Sequence, residues 1–210
     1  MSNPSVLKNG LTLALIAGVC SGLVAVTYAF TEDKIEDNRK AFLEQKLKPA
    51  LSGLFFEGDV TESVVTLKAP HGLPGKDDAL IYRLYASGEP VAALFIVTAR
   101  NGYSGPIRIL LGVDISGVVT GLRILEHSET PGLGDKIDED KSDWVQQFAG
   151  RSLEDPAIDG WQIRNDGGEF DQLTGASITP RAVIQAVRET LVYFAENKEQ
   201  VFAMPGDSAQ

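Results

Sequence analysis

One cysteine, Cys20, and two histidines, His71 and His127, are the only thiol and imidazole side chains among the 210 residues. A lone thiol excludes a disulfide framework within the chain and any cysteine-rich zinc or iron–sulfur site. The histidines lie far apart in sequence and lack the i, i+4 pairing of a helical zinc motif. Positive charge is scarce as well. The formal charge is −10, and because only Lys8 is charged before Thr31, the rest of the chain carries 18 basic residues (19 less Lys8) against 29 acidic ones, or −11. Phosphate backbones require a basic footprint, so nucleic acid is excluded as a partner. The acidity serves solubility, or the steering of a basic partner protein. No Ser/His/acid set stands at the motif positions of a hydrolase, and there is no internal repeat or low-complexity domain.

What the chain does have, near its start, is an uncharged apolar run. Residues 11–30 carry no charged side chain and are bounded by Lys8 and by Glu32, Asp33 and Lys34, which matches the ~20 residues needed to span a bilayer. A cleaved signal peptide, with Thr27-Tyr28-Ala29 as its cleavage site, is the competing reading, but signal cores run only ~7–15 residues. Val19 stands before Cys20 where a lipoprotein signal wants a small residue. Ala14, Gly18 and Gly22 share one helical stripe, a G-x-x-x-G surface suited to close approach by another helix. Lys8 and the amino terminus set against a mixed-sign flank predict a cytoplasmic N-terminus. The expected organisation is a cytoplasmic segment 1–10, a transmembrane helix 11–30, an amphipathic helical stalk 31–52, one extracytoplasmic domain 53–204 and a disordered tail 205–210.

The domain reads as α+β, with an antiparallel-rich sheet and packed helices. Short β-type runs cover 63–67, 79–86 and 91–99, the last two joined by Ser87-Gly88-Glu89-Pro90 as a hairpin. A second hairpin pairs 107–113 with 118–125 around Asp114-Ile115-Ser116-Gly117. Ser142 caps a short helix through Phe148 that ends at Gly150. Trp161 and Ile163 suggest one more strand. A long C-terminal helix starts with Thr179 as N-cap and Pro180 as first residue, and buries Val183, Val187, Leu191 and Phe194 on one face.

Three loops stand out. Gly102-Tyr103-Ser104-Gly105-Pro106-Ile107 is a turn between the hairpins. His127-Ser128-Glu129-Thr130-Pro131-Gly132-Leu133-Gly134 is rich in residues that bend the backbone and expose its N–H groups. Asp171-Gln172-Leu173-Thr174-Gly175-Ala176-Ser177-Ile178-Thr179-Pro180 places a hydroxyl beside a helix N-terminus, whose free N–H groups and dipole favour an anion such as phosphate. Taken alone, each reads as a tight turn with small residues at the bend, and His127 as a loop histidine with a local structural role.

Together, and in this order, the three segments resemble those of the RnfG and NqrC family, FMN-bearing subunits of membrane-bound, ion-translocating oxidoreductases. The resemblance implies a covalent FMN, joined by a flavin transferase through a phosphoester to Ser177; the family more often has threonine there, and a serine hydroxyl forms the same ester. It implies that Thr174, Gly175 and Ala176 shape the acceptor turn and that Tyr103 edges the flavin ring. Glu129 and Thr130 would supply polar contacts, Gly132 and Gly134 close backbone approach, and Leu133 an apolar surface, with Lys136 adding positive charge near a reduced flavin. No residue is assigned as catalytic in its own right. The implied function is electron relay within an Rnf/Rsx-type complex at the bacterial cytoplasmic (inner) membrane, with the FMN domain on the periplasmic or extracytoplasmic side. Its partners would be the other subunits and the maturing transferase, and it would be a redox subunit rather than a stand-alone enzyme. Two alternatives stay open: the equivalent subunit of a sodium-translocating quinone reductase, and a membrane-anchored scaffold module without a cofactor.

Overall fold

A computed structural model describes residues 8–28, 30–31, 56–57, 60 and 63–203. They belong to two units, Met1–Gln45 and Lys46–Gln210. In the first, helix α1 (Lys8–Tyr28) has 21 residues and is the one helix among the described residues long and apolar enough to cross a membrane. It begins one turn before the expected start at 11. The hydroxyls of Thr12 and Thr27 donate to Lys8 O and Leu23 O at 2.9 and 2.8 Å. Donating back along the helix hides polar groups that hydrocarbon would leave unpaired. Nothing lies within 4 Å of the Cβ positions of Gly18 and Gly22, so the small-residue stripe is open. Apart from Thr31, the expected stalk (31–52) lies outside the described residues, as does the expected tail (205–210).

The second unit is built on a five-stranded antiparallel sheet in the order β1 (Val64–Leu67), β2 (Ala79–Ala86), β3 (Glu89–Ala99), β4 (Ile107–Asp114) and β5 (Val119–Glu126). Every strand pairs with its neighbour in sequence, because each connection is short enough to force antiparallel return. The β2–β3 turn is tighter than expected. Only Ser87 and Gly88 lie outside the strands, with φ of 52° and 82°, the double left-handed pair of a type I′ turn, whose twist matches that of the strands. Pro90 is thereby drawn into β3, where a register shift between Leu84 and Tyr85 absorbs it. At the β4–β5 turn, Asp114 Oδ1 accepts from the Ser116 and Val118 amides at 2.8 and 2.9 Å.

Helix α2 (Ile178–Ala203) lies on one face of this sheet, burying Val183, Val187, Leu191 and Phe194 as the spacing predicts. Phe194 meets Phe95 of β3 edge to face, 5.7 Å between ring centroids. Between β5 and α2 the chain forms 3-10 turns rather than regular elements. Ser142 caps one at Asp143–Phe148, its hydroxyl accepting from Trp144 N. The strand expected at Trp161 and Ile163 is absent: 3-10 turns at Ile158–Gly160 and Arg164–Asp166 flank these residues, and Ile163 makes only an isolated bridge to Phe170. Their apolarity serves an aromatic cluster instead. Phe148 stacks on Phe170 at 4.9 Å, and Trp161 packs on Phe170 at 4.9 Å and on Phe148 at 6.4 Å.

Candidate functional site

The segment from Asp171 to Pro180 is tied to this aromatic cluster at its first residue. Trp144 Nε1 donates to Asp171 O at 2.6 Å and Gln147 Oε1 accepts from Asp171 N at 2.7 Å. The chain then turns at Leu173–Ala176, closed by Ala176 N to Leu173 O at 3.0 Å. Gly175 occupies the third position with φ of 79°, the sign a type II turn demands there, and a Cβ on it would approach Leu133 Cδ2 to 3.0 Å. The left-handed φ is what requires glycine, and the approach to Leu133 would make any side chain there displace that residue as well.

Helix α2 starts immediately after this turn, two residues sooner than expected. Ser177 O accepts from Arg181 N at 3.4 Å, so Ser177 rather than Thr179 stands at the N-cap position and Pro180 falls within the first turn. The first four helical N–H groups have no intrahelical acceptor, so proline fits any of those positions and does not by itself mark the first. Thr179, freed from capping, is wholly buried and donates its hydroxyl to Glu129 Oε2 at 2.5 Å. Ser177 Oγ, half-buried, has no hydrogen-bond partner among the described residues. One turn on, Arg181 grips Asp166 with Nε to Oδ2 at 2.6 Å and Nη2 to Oδ1 at 2.9 Å. The guanidinium's hydrogen bonds hold the Asp166 carboxyl below the usual carboxylate range and push Arg181 up in turn.

The loop after β5 arrives opposite. Glu129 is buried, at 4% exposure, and its Oε1 accepts from Ser104 N at 3.0 Å. Its own amide donates to His127 Nδ1 at 3.0 Å, while His127 Nε2 lies 3.0 Å from Asp138 Oδ2. An Nδ1 that accepts places the ring proton on Nε2, facing Asp138. His127 thus organises its own loop, as the sequence suggests for it. Gly132, with φ of 78°, turns the chain so that Leu133 N and Asp135 N reach Thr130 O at 3.2 and 3.3 Å.

These pieces enclose a cavity of about 290 Å³ lined by Tyr103, Glu129, Thr130, Leu133, Gly134, Gly175, Ala176, Ser177, Ile178 and Thr179. Its size is at the lower end for small-molecule sites. Eight of the ten residues singled out from sequence line it. Thr174 and Gly132 do not; they sit in the turns that present their neighbours. Lys136 does not line it either. Ile178 and Thr179 line the cavity without having been singled out, because the pattern assigned them to helix initiation, although an apolar residue next to the Ser177 hydroxyl was the available signal. Tyr103, Leu133 and Ile178 are 68%, 42% and 46% exposed, which gives the mouth an apolar rim beside the Ser177 hydroxyl. A flat aromatic ring with a polar tether fits such a surface.

Comparison with known proteins defines the class of protein. Residues 102–192, from the tyrosine loop through much of α2, match the family model of the FMN-binding domain, and residues 1–49 match that of the RnfG N-terminal region. Similar along almost the whole chain are proteins named as the G subunit of an ion-translocating oxidoreductase complex. That of Shewanella oneidensis is 41% identical over 205 residues, covering 98% of this chain and 96% of the relative. That of Pseudoalteromonas atlantica is 42% identical over 196 residues (93% and 91%), and that of Vibrio vulnificus 43% identical over 199 (94% and 93%). The chain belongs to this family, the G subunits of ion-translocating oxidoreductase complexes.

Proposed function

We propose that this protein is the electron-transfer subunit of an Rnf/Rsx-type membrane complex and that its FMN is carried covalently on Ser177. The observation that carries the reading is the uncommitted Ser177 hydroxyl at the edge of the apolar-rimmed cavity, in a chain whose relatives are named as subunits of such a complex. The other two hydroxyls of the segment are poor candidates: Thr179 is buried and bonded, and Thr174 lies outside the cavity. As the ester forms, Ser177 Oγ loses its proton and gains a bond to phosphorus, which sheds the leaving group of the transferase's flavin donor. A phosphate on Ser177 would be held by a residue at the N-cap of α2, where free N–H groups and the helix dipole would favour its negative charge. Tyr103, Leu133 and Ile178 offer apolar surface to the isoalloxazine. Thr130 lends a polar wall, Gly134 and the turn at Thr174, Gly175 and Ala176 permit close approach, Gly132 aims Leu133, and Glu129 borders the cavity from below.

Bound FMN supplies one- and two-electron chemistry at a fixed place in the membrane complex, and the protein sets its distance and potential. Helix α1 anchors the domain, and the N-terminal charge pattern favours an extracytoplasmic position for it. Tethering suits such a site, because FMN lost outside the cytoplasm is not readily replaced. The test is the intact mass and in-gel ultraviolet fluorescence of the chain produced with a flavin transferase, beside Ser177→Ala. A fluorescent adduct that survives denaturation in wild type and is absent from the variant is the expected result. Reversible FMN binding with no adduct would leave the pocket and remove the tether. A chain without flavin, alongside a transferase active on another substrate, would favour a scaffold role.

A further inference from the structure

We propose that Glu129 is a positioning residue for the flavin site, a clamp that joins the tyrosine loop to the first turn of α2 and so holds the ring surface and the acceptor hydroxyl in one geometry. The proposal rests on the reading of Ser177 as the flavin acceptor. Each carboxylate oxygen is engaged within the protein. Oε1 accepts from Ser104 N, next to Tyr103, and Oε2 accepts from the Thr179 hydroxyl, two residues after Ser177. A carboxylate is costly to bury unless donors surround it, and here one donor comes from each of two segments that the sequence separates by 75 positions (179 less 104). Charge-assisted bonds of this kind are the stronger ones.

Two glycines point the same way. A Cβ on Gly102 would lie 2.8 Å from Glu129 Oε1 and would collide with Gly105 O; a Cβ on Gly134 would lie 2.9 Å from both Glu129 Oε2 and Thr179 Oγ1. Neither glycine has a left-handed φ, so close packing, not backbone conformation, requires them: the carboxylate and Thr179 at Gly134, and the Gly105 carbonyl together with the carboxylate at Gly102. One glycine from each of the two loops thus stands against the same carboxylate. The clamp also decides which hydroxyl is available, because it engages Thr179 and leaves Ser177 free. Glu129 therefore serves the flavin through Tyr103 and Ser177 rather than as a ligand of its own.

The experiment compares full-length wild type with Glu129→Gln, Glu129→Ala, Thr179→Ser and Thr179→Val in detergent. Hydrogen exchange of the flavin-free chain at residues 102–105 reads the clamp directly, and the rate of FMN transfer to Ser177 by intact mass reads its consequence. Glu129→Gln keeps an acceptor for Ser104 N and Thr179→Ser keeps the hydroxyl, so both are expected to stay near wild type. Glu129→Ala and Thr179→Val should slow transfer by about tenfold or more, and Glu129→Ala should speed exchange at 102–105, with exchange in β3 and β4 unchanged. Thr179→Val is isosteric and keeps the packing of α2, so it carries the test even if Glu129→Ala does not fold. Unaltered exchange and transfer in Glu129→Ala and Thr179→Val overturn the proposal, and so does a Glu129→Gln variant as impaired as Glu129→Ala, which would assign the role to charge. If wild type takes no FMN, the acceptor reading fails separately, while exchange in Glu129→Ala still decides the clamp.

Discussion

Ser177 and Thr179 stand two positions apart and carry the same functional group, yet their surroundings give them opposite fates. The hydroxyl of Thr179 is buried against Glu129, and that of Ser177 is left at the cavity mouth. Ser177→Thr, which retains a hydroxyl at that place, is expected to accept FMN, with intact mass as the readout; an unmodified Ser177→Thr chain would mean that the pocket excludes the extra methyl. Arg181 and Asp166 make a second residue-level prediction. Because the Asp166 carboxyl is held below its usual 3.8, the pair stabilises the fold at every pH above that value and the contribution is lost as pH falls through the lowered pKa. Asp166→Asn should therefore lower Tm slightly near neutrality, and the gap from wild type should close in strong acid and shrink in high salt, since both partners are solvent-exposed. That the glycine loop and the segment around Ser177 meet at one cavity was legible from the sequence, because small residues cluster there in a recognisable order. The link between Glu129 and Thr179 was not, since it joins side chains 50 positions apart and no local pattern encodes it.

At the scale of elements, hydrophobic alternation and turn residues were sufficient for the sheet, and spacings of three and four for the buried face of α2. The segment between β5 and α2 resisted the same reading. Its apolar residues have neither period, because 3-10 turns present them irregularly to an aromatic cluster, and Trp161 and Ile163 looked like a strand for want of a better template. That cluster supports the acceptor turn through Trp144 and Gln147. Phe148→Ala, at a wholly buried site among three aromatic rings, should cost about 3–5 kcal/mol, measured by chemical denaturation of the detergent-solubilised chain. Gly175→Ala acts on a different scale. Forcing a side chain into left-handed φ costs about 1–2 kcal/mol and crowds Leu133, so this variant should keep its global fold and lose flavin transfer; transfer at the wild-type rate would show that the turn is free to rearrange.

For the whole molecule, an apolar helix of 21 residues precedes an acidic domain, in a family whose members are named as subunits of an ion-translocating oxidoreductase complex. Full-length chain should stay with membranes through an alkaline wash, and a chain lacking residues 8–28 should be released while still accepting FMN. A periplasmic reporter fused after Ala203 should be active and a cytoplasmic one silent. The sequence made the apolar helix plain, because an uncharged run of this length is readable without any tertiary contact; the way the domain's loops converge on one cavity depends on sheet and helix together. Everything in the account meets at one side chain, which trypsin isolates conveniently in the peptide 165–181 between Arg164 and Arg181. The decisive measurement is fragmentation mass spectrometry of that peptide from protein purified out of its own membrane. The account predicts a gain equal to FMN less one water, located on Ser177. An unmodified peptide from a flavin-replete membrane, or the same gain on Thr174 or Thr179, would contradict it.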